Sequence, residues 1–122
     1  MLNSILYSAP SSLSVEISPL FLYEEVFTES GTTPTLLETT VTGGSGTITY
    51  AWTISSQSGA GTMSIDTPTT ADTYIDYSGL YYTGADVSGI IRCTVTDGVG
   101  QTAYFNLSVS IVQYGLGGGA IP

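Results

Sequence analysis

The residues able to do chemistry in this 122-residue chain are ten carboxylates, one arginine and one cysteine, with no histidine and no lysine. A serine nucleophile needs a neighbouring base such as histidine or lysine, so triad chemistry has no components here. A glycosidase can work with two carboxylates alone, which makes Asp66, Asp72, Asp76, Asp86 and Asp97 the residues to test. They fall in Gly- and Thr-rich stretches that read as solvated turns. One cysteine without histidine supplies too few nitrogen or sulfur ligands for zinc or iron. Calcium takes hard oxygen ligands, and Asp76, Asp86 and Asp97 are its candidates if their loops converge at one end of the molecule. No D-x-D-x-D-G spacing accompanies them, so neither a metal site nor a cofactor is read from the sequence. Tyr77, Tyr81 and Tyr82 with Trp52 invite a sugar-stacking reading. Tyr81 and Tyr82 are neighbours, however, and on a strand they would face opposite ways, one of them into the core.

The elements that would position these residues are strands. Serine, threonine, glycine and tyrosine are abundant, the usage of twisted strands joined by tight turns. Leu13, Val15 and Ile17 alternate with Ser14, Glu16 and Ser18, the period of two expected of a half-buried strand. Pro19 interrupts pairing. Residues 20–27 are apolar with Glu24 and Glu25 embedded, and they read equally as an edge strand or a packed loop. Leu37, Thr39 and Val41 can point inward on the next strand. Ile48, Tyr50, Trp52 and Ile54 then share one face, which puts the only tryptophan in the core. Residues 55–61 read as a Gly/Ser loop, followed by short strands around Met63 and Ile65 and around Ile75 and Tyr77. The clearest signal is the last pair. Ile91, Cys93 and Val95 alternate with polar residues, Asp97-Gly98 makes a hairpin turn, and Ala103, Phe105, Leu107, Val109 and Ile111 alternate again. About seven strands result, and the expected core is Tyr50, Trp52, Cys93, Val95, Phe105 and Leu107. One domain over 13–112 fits this length, flanked by an extended N-terminal arm, 1–12, and a flexible Gly-rich tail, 113–122. Leu2, Ile5, Leu6 and Tyr7 in the arm, and Tyr114, Leu116 and Ile121 in the tail, are candidate anchors on a partner.

A formal net charge of −9 argues against nucleic acid and against anionic membrane surfaces, both of which select lysine and arginine. It favours a basic partner or simple solubility. No apolar run approaches a membrane-spanning length. Cys93 has no second cysteine with which to form a disulfide. The first residues lack the basic n-region of a secretory signal, so a cytoplasmic site of synthesis is expected and the Asn106-Leu107-Ser108 sequon is read as accidental.

Two segments carry a family resemblance. The run Gly43-Gly44-Ser45-Gly46-Thr47-Ile48-Thr49-Tyr50-Ala51-Trp52 has the form G-x-G-x-x-x-Y-x-W, and Thr94-Val95-Thr96-Asp97-Gly98-Val99-Gly100 has the form T-V-T-D-x-x-G. Over residues 13–112 the chain resembles bacterial and viral immunoglobulin-like domains of the PKD type. It departs from them at Ile91, where a tyrosine is usual, and at Thr53-Ile54-Ser55, which replaces an aspartate-glycine signature. The resemblance implies an all-β immunoglobulin-like β-sandwich of about seven strands. Such domains occur in adhesins, in accessory modules of polysaccharide-degrading enzymes and in tailed-phage particles, so fold is implied more narrowly than function. The expectation is a non-enzymatic structural protein of a phage virion, a capsid decoration or cement protein. Its partners would be capsid or tail proteins, with further copies of itself in an oligomer or multi-copy array. The alternative is a host-surface or carbohydrate-binding adhesion module.

Overall fold

The computed structural model describes residues 12–115. Ten strands follow in chain order: β1 (Ser14–Ser18), β2 (Phe21–Val26), β3 (Gly31–Thr32), β4 (Leu37–Thr42), β5 (Thr49–Gly59), β6 (Thr62–Ile65), β7 (Asp72–Thr73), β8 (Ile75–Ser78), β9 (Asp86–Thr96) and β10 (Thr102–Gln113). No helix occurs among the described residues. They pair as three sheets, β1-β4-β7, β2-β10-β9-β5 and β3-β8-β6. The excess over seven comes from two short elements and one ambiguous segment. β3 and β7 have two residues each, Tyr74 alone separates β7 from β8, and the ambiguous segment 20–27 forms β2.

Alternation decides which face each strand buries. Val15 and Ile17 are buried while Ser14, Glu16 and Ser18 are exposed, and β1 pairs antiparallel with β4, Val15 opposite Val41. Proline has no N–H to continue a ladder, and after Ser18 the chain leaves this sheet at Pro19 for the four-stranded one. It re-enters as β2, which runs parallel to the last strand, Phe21 opposite Ser108 and Val26 opposite Gln113. β9 and β10 form the hairpin around Asp97, with Cys93 opposite Phe105.

β5 pairs with β9 over nearly its whole length, Trp52 opposite Cys93. Residues 55–59, expected to be loop, are strand. The register shifts between Ile54 and Ser56, and beyond that bulge Ser56, Gln57, Ser58 and Gly59 stay paired with the first half of β9. The bulge needs Gly89 in the facing strand, because a Cβ there would lie 2.1 Å from the Ser56 carbonyl oxygen.

All these inward faces share one core. Trp52, Cys93, Val95 and Leu107 lie in it with Ile17, Leu37, Ile75, Leu80, Val87, Ile91 and Ile111, while Tyr50 and Phe105 pack half-buried against it. Burying such side chains contributes about 1.5–3 kcal/mol each relative to exposure. The tail begins later than the sequence pattern suggests: Gln113 is fully buried, pairs with Val26 and donates its N–H to Ala85 O.

Candidate interaction surface

Asp97, Asp86 and Asp76 do not converge as calcium binding would need. Asp86 opens β9 and Asp97 follows its last residue, so the 11-residue strand holds them about 35 Å apart. No group of three acidic, cysteine or histidine residues gathers among the described residues. Asp97 instead organises the hairpin. Its Oδ1 accepts from the N–H groups of Val99 at 3.1 Å and Gln101 at 2.8 Å, and its Oδ2 from Ser45 N at 2.9 Å and Gln101 Nε2 at 2.7 Å. Burial pushes its pKa up, but the Gln101 side chain and the backbone donors outweigh that and hold the carboxyl below its ordinary value. Asp76 accepts from the Thr32 hydroxyl across β3 and β8.

The sugar-stacking group is also redistributed. Trp52 is buried, and its Nε1 donates to Thr70 O at 2.7 Å. Tyr77 is buried, its hydroxyl sharing a 2.8 Å hydrogen bond with that of Thr28. Tyr81 and Tyr82 lie outside any strand, so the opposite-face argument does not apply, and both are exposed, 66% and 59%.

An exposed aromatic surface lies where the sequence pattern left strand and loop open. β2 buries Leu22 and Val26 and turns Phe21, Tyr23 and Glu25 outward, and Phe27 follows it. Phe21 is 68% and Phe27 62% exposed. Tyr114 joins them because its N–H donates to Val26 O at 2.8 Å. The turn bearing Tyr81 and Tyr82 is tied to the same end of the sheet: Gly84 N donates to Gln113 O at 2.7 Å and Ala85 N to Tyr82 O at 2.9 Å. Exposed apolar patches on a soluble protein commonly mark contact sites.

Acid flanks the aromatics. The Tyr23 hydroxyl donates to Glu25 Oε2 at 3.3 Å, and the Thr35 hydroxyl donates to Glu24. The Tyr23 phenol is pushed up to about 12, first by its hydrogen bond with Tyr114, then by burial and the nearby Glu25. On the same sheet's outer face Arg92 lies 4.0 Å from the Tyr104 ring centroid, a cation–π contact, and its Nε donates to Asn106 Oδ1 at 2.9 Å.

Of the anchors read from the sequence, Tyr114 belongs to this surface. Leu2, Ile5, Leu6, Tyr7, Leu116 and Ile121 lie outside the described residues. Phe21, Tyr23 and Phe27 were missed, although their odd-numbered positions, one face of a strand with Glu25 between, were the available signal.

Fold and surface together define an all-β, sandwich-like protein with an exposed aromatic edge strand. No family model, no curated protein and no solved structure matches the chain.

Proposed function

We propose that this chain is a non-enzymatic structural protein of a phage virion, a capsid decoration or cement protein, built on an immunoglobulin-like sandwich. The strand order supports the fold reading. The order β10-β9-β5 matches the G-F-C order of such a domain, and β1-β4-β7 with β8-β6, joined where β7 runs on through Tyr74 into β8, is compatible with A-B-E-D. Trp52 sits on the C-like strand opposite Cys93 on the F-like strand. The observation that carries the functional reading is the aromatic surface of β2, where Phe21, Tyr23 and Phe27 stand in solvent with Tyr114 beside them. Tyrosine and phenylalanine are enriched at protein interfaces, where they give large contact area at low entropic cost.

In this reading the sandwich is a rigid body held on a protein shell by that surface, aided by the anchors of residues 1–12 and of the tail. Many copies on one particle add avidity to a modest single contact. The test is co-sedimentation of the purified chain with isolated capsid shells from the same source, as wild type, without residues 1–12, and as Phe21→Ser/Tyr23→Ser. Retention by shells that falls in both variants supports the reading; no retention of the wild type overturns it. The exposure of both Tyr81 and Tyr82 favours the carbohydrate-binding alternative in that second case. It would then be expected that a glycan is retained by the wild type and lost on Tyr81→Ala/Tyr82→Ala.

A further inference from the structure

β2 is the terminal strand of its sheet. One backbone edge pairs with β10, and the other has no strand partner among the described residues. Six residues of open edge span about 20 Å and can template a further strand. Natural proteins often block such edges with charge, inward-pointing charge included. Glu24 on the inward side and Glu25 on the outward side fit that pattern, yet Phe21 and Tyr23 remain exposed on the same strand.

Charge selects what can occupy the edge. A second copy pairing through its own β2 would bring two Glu24 and two Glu25 carboxylates together within a few residue positions, and like charges across a ladder are destabilising. The chain has a single base to offset them, and Arg92 is engaged elsewhere, over Tyr104 and against Asn106. A strand carrying lysine or arginine meets the opposite situation. Its outward cations face Glu25 and can lie over the rings of Phe21 and Tyr23, and a cation on the alternate face meets Glu24.

We propose that the outer edge of β2 is a docking site for an extended basic segment of a partner protein, which adds to the sheet as a further strand. Backbone hydrogen bonds supply affinity, and the alternate side chains facing Phe21, Tyr23 and Glu25 supply selectivity. The proposal rests on the assembly reading for the partner's location on a particle, while the edge itself can be tested without one.

The probe is an octapeptide alternating lysine and valine, titrated into the full chain and followed by amide NMR shifts and calorimetry. Shifts should concentrate on residues 21–27. With its lysines on the outward face the peptide meets Glu25, so Glu25→Gln should weaken binding about threefold at low salt, while Glu24→Gln, on the opposite face, should weaken it less. Two N-methylated versions of the peptide, blocking alternate amides, should differ, one binding and the other not. A peptide alternating glutamate and valine should not bind. Equal binding of both methylated peptides, with shifts spread over the acidic surface, overturns the proposal in favour of unspecific attraction. Absent shifts on β2 also overturn it, as does a chain dimer abolished by Phe21→Ser with no lysine peptide bound, which assigns the edge to a second copy. Shell retention that survives Phe21→Ser and both glutamine variants sinks the edge and leaves the virion reading. Peptide binding without shell retention does the reverse.

Discussion

Replacing Gly89 with alanine sets a methyl carbon against backbone, not against a side chain that can swing aside. The added Cβ would lie 2.1 Å from Ser56 O, 2.9 Å from Ser56 C and 3.0 Å from Gln57 Cα, where ordinary contact begins at 3.4 Å. Relief requires β5 and β9 to part by about 1 Å at the bulge, because the repulsive wall rises steeply inside contact distance. The four pairs from Ser56–Ile90 to Gly59–Val87 lie beyond that point and would be strained together. Overpacking of this kind costs about 1–3 kcal/mol. In a domain of this size that lowers Tm by about 5–20 °C. Urea unfolding followed by the fluorescence of Trp52, the sole and buried tryptophan, reads the loss as a lower midpoint at unchanged slope. Ser88→Ala, one residue away, is the control and should change stability by less than about 0.5 kcal/mol. An unchanged midpoint for Gly89→Ala would refute the close approach and with it the extension of β5 past Ile54.

Three further outcomes are expected. Cys93 is fully buried, and burial pushes its thiol up to about 11 despite the Ala51 backbone hydrogen bond, so a thiol reagent at neutral pH should label it only once urea unfolds the chain; rapid labelling of the native protein would contradict this placement. Leu107→Ala should cost about 2–5 kcal/mol, since the side chain is wholly enclosed, and a loss under about 1 kcal/mol in urea unfolding would place it outside the core. Asp97 has its folded pKa depressed, so its contribution is fully present above the unfolded value of about 4 and is lost as pH falls through the lower folded value. Asp97→Asn should therefore be less stable at neutral pH, and the difference from wild type should shrink in urea midpoints measured toward acid. A difference that grows toward acid would reverse the sign of the argument.

The central hairpin was legible because both its strands bury one whole face. Ile91, Cys93 and Val95 on β9, and Leu107, Val109 and Ile111 on β10, keep the period of two that one-sided burial imposes. Trp52 was legible for the same reason. The outer half of β5 was not, because Ser55, Ser56, Gln57 and Ser58 have turn-like chemistry and are held as strand by tertiary pairing across Gly89. β2 was ambiguous since Glu24 breaks its inward face, a feature tolerated at an open edge and meaningless without knowing which strand is an edge. Its parallel pairing with β10 joins residues more than eighty positions apart, which no local pattern encodes. The aspartates were legible as turn residues but not as neighbours, because separation in space depends on strand length and direction. Asp97 was legible as a residue of the hairpin turn, but not as the acceptor of four hydrogen bonds that hold it.

Hydrogen–deuterium exchange on the full chain, free and bound to isolated capsid shells, tests most directly whether β2 is the face that meets a partner. The account predicts fast exchange over residues 21–27 in the free protein at amides not bonded to β10, and slowed exchange there on binding, with the outer face of β5 unchanged. Binding that protects other strands and leaves β2 exchanging as in the free chain would contradict it.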